Sequence, residues 1–148
     1  MKDTDSANET RAEYRYSLVI PTRWMDNDVY RHVNNVIYYS YFDTVVNEYL
    51  LGEKVLDYEN GEVVGLVVET KCRYFSPLRF PDIVEAGLRV AHIGNSSVRY
   101  EIGIFRKVDE KPAAAGHFIH VYVDRLSLRP VRLPATLRDA LTKIHVKR

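Results

Sequence analysis

"NVIYYSYFDTVVNEYLLG", residues 35–52, is the stretch on which the fold turns. Tyr38, Tyr41, Phe42, Val45, Val46, Tyr49 and Leu50 recur at helical spacing, and Ser40, Asp43, Thr44, Asn47 and Glu48 fall on the opposite face. Asn34 or Asn35 can cap the start and Gly52 can end it. About sixteen residues at 1.5 Å rise make roughly 24 Å of helix. The apolar stripe is wide, which predicts a mostly buried helix. Its β-branched and aromatic residues are mediocre helix formers, so tertiary packing has to hold it.

Beyond this helix, past a Gly/Asn/Glu-rich turn at 59–62, the period changes to two. Along 66–74, Leu66, Val68, Thr70, Cys72 and Tyr74 alternate with Val67, Glu69, Lys71 and Arg73, which reads as a strand with one apolar and one charged face. "SPLRFPD" interrupts it, and further strands are predicted over about 82–93, 97–107 and 113–125. Val98, Tyr100, Ile102 and Ile104 share one face of the third strand after the helix; Ile119, Val121 and Val123 share one face of the fourth. "HIGNSS" and "KVDEKP" are turn sequences. "LPATLRDALTKIH" reads as a short amphipathic helix with Pro134 near its first turn and Leu137, Ala140, Leu141 and Ile144 on one face. Before the long helix, "YRYSLVIPTRW" (14–24) is a short strand limited by Pro21.

Strand, long helix, four strands and a short helix make an α+β domain. Strands joined by tight turns pair antiparallel. One helix about 10–12 Å across cannot cover five strands about 4.8 Å apart unless the sheet curls round it. An edge would also stay open, a problem eased if two copies pair edge to edge. A homodimer is therefore expected.

The 148 residues favour one domain, 14–148, behind a polar segment, 1–13, read as a flexible tail. With 21 basic and 20 acidic residues the net charge is +1, so no electrostatic footprint for nucleic acid is present. One cysteine, Cys72, forms no intrachain disulfide and fits a reducing compartment. No apolar run approaches the roughly 20 residues of a membrane span, and the N-terminus lacks a signal-peptide core. The expectation is a cytoplasmic protein that binds neither nucleic acid nor membrane. Eleven tyrosines suit either surfaces buried on association or half-buried strands and helices.

Directly before the helix, "RWMDNDVYRHVNN" (23–35) packs Asp26, Asp28, His32, Asn34 and Asn35 into ten positions. With the tyrosine-rich helix after it, this segment resembles the opening of the 4-hydroxybenzoyl-CoA thioesterase-like group of hotdog-fold acyl-CoA thioesterases. The pattern is a D-x-D loop, then H-V-N-N, then the helix. Looser echoes follow in "VVETKCRYFSPLRFPD", "IGNSSVRYE", "AAAGHFIHVYVD" and "RPVRLPATLRDAL", so the resemblance spans about residues 15 to 142. Arg31 departs from it, standing where the family usually has glycine. That substitution makes the loop less free to adopt positive φ.

The resemblance implies a hotdog fold: a curved antiparallel five-stranded sheet wrapped round one long helix, with a short C-terminal helix. It implies an active site at a dimer interface, a dimer of dimers being common, and hydrolysis of an acyl-CoA to free acid and CoA. No metal or other cofactor is expected, CoA being part of substrate and product. The essential carboxylate matches Asp28, and the oxyanion donor matches the backbone N–H of Asn35. Chemically, thioester hydrolysis needs a base or nucleophile and donors for the developing oxyanion. A carboxylate supplies the first, and a helix N-terminus, with N–H groups that lack intrahelical acceptors, supplies the second.

Other residues admit more than one reading. Asp26 reads as structural, pairing with Arg23 or capping backbone groups. His32 either orients the loop, binds substrate or is a hydrogen-bonded structural histidine. Tyr38 either borders the acyl pocket or packs in the core. Ser96, Ser97 and Arg99 in "GNSSVR" are candidates for CoA phosphates, as are Arg129 and Arg132, against solvated surface charge. A metal at Asp26, Asp28 and His32 lacks a second cluster, because His117 and His120, three apart on a strand, face opposite ways. Cys72 reads as a buried, inert thiol. A non-catalytic acyl-CoA-binding module and a hotdog hydratase or dehydratase are the alternative functions.

Overall fold

The computed structural model describes residues 3–147. Its elements are β1 (Tyr16–Pro21), α1 (Asn35–Gly52), β2 (Val63–Tyr74), β3 (Ile83–Ile93), β4 (Ser97–Arg106), β5 (Ala114–Asp124) and α2 (Ala135–Lys143), with short 3-10 turns at Asp3–Asn8, Arg11–Glu13 and Trp24–Asp26. One antiparallel sheet has the order β1-β3-β4-β5-β2. The two turn-linked pairs, β3–β4 and β4–β5, are neighbours, whereas β2 crosses over to pair with β5. The long helix packs against one face of the sheet and the short helix beside β3, the expected hotdog arrangement.

Helix α1 buries Tyr38, Tyr41, Phe42, Val45, Val46, Tyr49 and Leu50, the seven residues its spacing selects. Asn34 is the cap; its side chain accepts from the Val36 N–H at 3.1 Å. At the other end Gly52 stays helical, and Lys54 takes the left-handed conformation at φ 59°. Lys54 N–H bonds the Leu51 carbonyl and Val55 N–H the Leu50 carbonyl, a Schellman closure built without glycine.

On β5, Ile119, Val121 and Val123 share one face as read, and the sheet departs from its periodicity on β2. On β5 the residues facing α1 are Gly116, Phe118, His120 and Tyr122, not Ile119, Val121 and Val123: Phe118 meets the Phe42 and Tyr39 rings. Gly116 allows this close approach, since a Cβ there would lie 2.8 Å from the Phe42 ring. On β2 a bulge between Val67 and Glu69 shifts the register. Val67 pairs with His120 and Thr70 with Phe118, so Leu66 turns outward and no longer shares a face with Thr70 and Cys72. Strand β2 is a long edge, and Leu66, Val67 and Val68 on it are 41%, 48% and 60% exposed.

The segment read as a flexible tail lies outside the described residues at 1–2; the rest packs on the outer face of the sheet. Glu9 is buried and pairs with Arg89 at 2.5 Å, while the Arg89 guanidinium sits 4.4 Å above the Tyr14 ring. Gly87 and Gly103 make the groove for that ring: a Cβ at either would lie 2.7 or 2.6 Å from it. A polar stretch is thus held by one buried ion pair that the local sequence does not announce.

Candidate active site

Two carboxylates two residues apart have different surroundings. Asp26 is 1% exposed and fully engaged: it accepts from Arg23 N–H at 2.9 Å, Arg23 Nε at 3.0 Å and the Tyr41 hydroxyl at 2.9 Å. Its carbonyl accepts from Asn34 N–H, so Asp26 ties the loop to the first turns of α1. Burial, and then the bond to Asp26, push the Tyr41 phenol well above its ordinary range. The structural reading of Asp26 holds.

Asp28 is half-buried, and one carboxylate oxygen accepts from Tyr30 N–H at 2.8 Å. Its own N–H donates to the His32 carbonyl at 2.9 Å, and its carbonyl accepts from Arg31 N–H at 3.0 Å. A bridge between Asn27 and Val33 closes the loop, folding Asp28 back against the residues that lead into α1. The loop rests on the 75–82 connection, where the Leu78 carbonyl accepts from Val33 N–H and the Asn27 side chain from Phe80 N–H. Arg31 corrects an expectation: it takes φ 66° although it is not glycine. The turn between Asp28 and His32 needs a left-handed residue, and its closing bonds impose that conformation on arginine.

Asp28 opens on a hollow of about 470 Å³ with Trp24, Asn27, Val29 and Arg31. A second hollow, about 290 Å³, is lined by His32, Asn35, Tyr38, Tyr74 and Ser76 among others. The structure therefore brings His32, Asn35 and Tyr38 to one hollow, whereas Asp28 lines another. Asn35 is the first residue of α1, and among the described residues its N–H has no acceptor. The Tyr74 hydroxyl donates to the Asn35 carbonyl at 3.0 Å, holding the peptide that follows. Tyr38 is 2% exposed and its phenol is pushed up to about 12 by burial; it packs edge-on to Tyr41 and Tyr74.

Ser96, Ser97 and Arg99 are not part of this cluster. They sit at the β3–β4 turn, and Ser97 pairs with Val121 whereas Ile104, at the other end of β4, pairs with Ala114 opposite Tyr74. Seven residues of strand put about 23 Å between the two ends. Arg99 is engaged with Glu101 at 3.0 Å. His117 and His120 do face opposite ways: His117 bonds Glu69 on the outer face, and His120 lies against Tyr100 on the helix side. Among the described residues no group of three or more His, Cys, Asp or Glu gathers as a metal site.

The profile of the thioesterase-like superfamily matches residues 22–141. The chain belongs to that superfamily. It is a thioester hydrolase. No curated protein matches it. Among solved structures, the PA5185 protein from Pseudomonas aeruginosa is 52% identical, with a TM-score of 0.90 over 92% of this chain and 95% of that one. A thioesterase from Thermus thermophilus, complexed with coenzyme A and zinc, is 26% identical, with a TM-score of 0.74 over 89% and 95%. A 1,4-dihydroxy-2-naphthoyl-CoA thioesterase from Synechocystis, 15% identical, shares the fold at a TM-score of 0.80 over 86% and 95%.

For a thioesterase, the choice of nucleophile matters, and Cys72 is a poor one. It is half-buried, and burial pushes its thiol up to about 11, leaving little thiolate near neutral pH. No described helix is long and apolar enough to cross a membrane.

Proposed function

We propose that this thioesterase hydrolyses acyl-CoA to a free carboxylic acid and CoA, with Asp28 as general base or nucleophile and the Asn35 N–H as oxyanion donor. The observation that carries the reading is the Asn35 N–H, unpartnered among the described residues at the start of α1, after a loop whose backbone bonds tie the half-buried Asp28 to His32 and Arg31. An amide so placed meets negative charge as it develops, with no reorganisation. In the water route, Asp28 takes a proton from water and the hydroxide adds to the thioester carbon. The oxyanion collapses, the C–S bond breaks, and the CoA sulfur leaves with that proton. In the nucleophilic route, Asp28 adds to the thioester carbon, the C–S bond breaks and CoA leaves as its thiolate, giving a mixed anhydride; water then cleaves the anhydride, returning the Asp28 carboxylate and releasing the free acid, and the water's remaining proton goes to the CoA thiolate. His32 lines the same hollow as Asn35 and is assigned a substrate contact.

Two copies pair through the β2 edges. Antiparallel pairing across a two-fold axis places the start of one β2 beside the end of the other. It also brings the β3–β4 turn of one chain, with Ser96, Ser97 and Arg99, to the side of the other chain's helix start. That turn then lies on the CoA side of a composite site.

The test is thiol release from a panel of short, medium and aromatic acyl-CoAs. Asp28→Asn is expected to lower kcat by about 10²–10⁴, the range of general-base catalysis. No turnover by the wild type, or full turnover by Asp28→Asn, sinks the reading.

A further inference from the structure

The hollow of about 470 Å³ on which Asp28 opens is lined by Trp24, Asn27, Asp28, Val29 and Arg31. Of these five, Asp28 and Arg31 alone carry charge, one of each sign. The Arg31 side chain is exposed, and among the described residues its guanidinium has no carboxylate or carbonyl partner. The other arginine of the loop, Arg23, is engaged with Asp26 at 3.0 Å. Arg31 N–H bonds the Asp28 carbonyl at 3.0 Å, which closes a four-residue turn and holds the two Cα atoms within about 7 Å. Glycine would close that turn without the cost that φ 66° places on arginine. What arginine adds there is a fork of donors shaped for an anion, one turn from Asp28. Two of the remaining walls are apolar. Val29 is 89% exposed and Trp24 78%, its indole standing edge-on to Phe80 with ring centroids 5.8 Å apart.

We infer that Arg31 selects an acyl group that ends in a carboxylate, so that the preferred substrate is the monothioester of a dicarboxylic acid. The thioester carbon stands at Asp28, the methylenes run over Trp24 and Val29, and the far carboxylate meets the Arg31 guanidinium. The inference rests on the acyl-CoA reading above, which puts the β3–β4 turn of the other chain on the CoA side and leaves the hollow of Asp28 to the acyl group. Two Cα atoms within about 7 Å, with the arginine side chain reaching beyond them, suit a linker of a few carbons, the length of a glutaryl or adipyl group. Charge decides the sign of the preference. A free carboxylate brought beside Asp28 meets a like charge and is disfavoured. Asp26 adds nothing to reverse this, because it is itself a carboxylate, buried and bonded to Arg23 and Tyr41. Arg31 is the one cation lining the hollow, and it turns the preference round. A neutral end group of the same length leaves the guanidinium in water and gains nothing from it. Since Arg31 is exposed, solvent screening keeps the gain in the lower range for an arginine–carboxylate pair.

Matched thioesters that differ only in the charge of the end group test this: glutaryl-CoA against its terminal amide, and adipyl-CoA against its terminal amide. In the wild type the carboxylate member of at least one pair is expected to have the higher kcat/KM, by about 5–30-fold. That ratio is expected to shrink towards 1 as salt rises from about 0.01 M to about 1 M, because an exposed pair is screened. In Arg31→Gln the repulsion from Asp28 is left unopposed, and the ratio is expected to drop below 1. Arg31→Lys keeps the charge without the fork and is expected to fall between the two. Arg31→Gly separates charge from shape, since it frees the turn while removing the guanidinium, and it is expected to lose the preference as Arg31→Gln does. An arginine that only shapes the loop would change both members of a pair alike and leave the ratio where it was. Equal kcat/KM within both wild-type pairs, or a preference that survives in Arg31→Gln and Arg31→Gly, overturns the inference. So does a loss in Arg31→Gln that is equal for carboxylate and amide, the result a contact with a CoA phosphate would give. Turnover of acyl-CoA without preference removes this inference alone; turnover of no acyl-CoA, here or in the panel above, removes the acyl-CoA reading with it.

Discussion

Asp26 and Asp28 are chemically identical and two residues apart, and they are expected to fail in opposite ways when changed to asparagine. Asp26 is buried with three hydrogen bonds to its carboxylate, two of them from Arg23 and one from Tyr41. Asparagine keeps the shape but removes the charge, and its amide can present a donor where donors already point. Hydrogen bonds to a charged group are worth about 1.5–3 kcal/mol, so Asp26→Asn is expected to cost at least one such bond, about 2 kcal/mol. For a domain of this size that lowers Tm by about 4–8 °C. Asp28 is half-buried, and the one bond its carboxylate makes among the described residues, from Tyr30 N–H, needs an acceptor that the asparagine oxygen also supplies. Asp28→Asn is therefore expected to melt within about 0.5 kcal/mol of the wild type while losing most of its turnover. Thermal melts and thiol-release kinetics on both variants give the two readouts. An Asp26→Asn protein with wild-type Tm, or an Asp28→Asn protein that is destabilised and active, refutes the division of roles.

Three further outcomes are expected. Arg31→Gly relieves a left-handed arginine at φ 66° and is expected to raise stability by about 0.5–1 kcal/mol after the added freedom of the unfolded chain, whereas Arg31→Ala, still strained, gives no gain; denaturant titration compares them. Gly116→Ala puts a Cβ 2.8 Å from the Phe42 ring and against the Lys71 carbonyl, and is expected to cost about 1–3 kcal/mol in the same assay, with wild-type stability counting against the packing described. The buried His120, held at about 4 against about 6.5 in the unfolded chain, binds its proton more weakly when folded. The stability it sustains is intact above about pH 6.5 and falls as pH drops to about 4, by about 3 kcal/mol; the excess acid sensitivity over His120→Phe measures it, and equal pH profiles refute it.

Much of this was legible because it repeats. The seven buried residues of α1 follow from spacing alone, and so does the helix-facing row Val98, Tyr100, Ile102 and Ile104 on β4. Where one residue breaks a period, the sequence is mute. The bulge at Val68 sits in "LVVE", where any phase looks apolar, so the turning of Leu66 to the outer face is visible only in the pairing with β5. On β5 the outer face carries the more aliphatic Ile119, Val121 and Val123, and the helix-facing side carries Phe118, His120 and Tyr122, with Gly116 making room; period two groups each set but does not say which one meets the helix. Glu9 and Arg89 lie 80 positions apart, and nothing local marks their pairing. In the site, Asp26 and Asp28 could be sorted by resemblance and confirmed as unlike by their bonds, but the Asn35 N–H is backbone, and its availability depends on how the preceding loop is tied down.

The arrangement of that loop explains why a conformationally awkward residue is tolerated at Arg31. Val33 N–H is held by Leu78, Asn34 N–H by Asp26, and Asp28 N–H by His32. These three ties leave the chain between Asp28 and His32 a fixed span to bridge, and Arg31 closes it in the left-handed conformation. Asn35 is the next position after Val33 and Asn34, and among the described residues its N–H has no acceptor. The strain at one position and the open donor at the other have a common source: the loop's hydrogen bonds are used up in fixing the backbone around Asp28. A donor that needs no rearrangement to meet an oxyanion requires such rigidity, and a loop relaxed by a softer turn would spread it. Arg31→Gly, stabilising in the melt, is for that reason expected to leave kcat no higher than the wild type, and a gain in both would break the link.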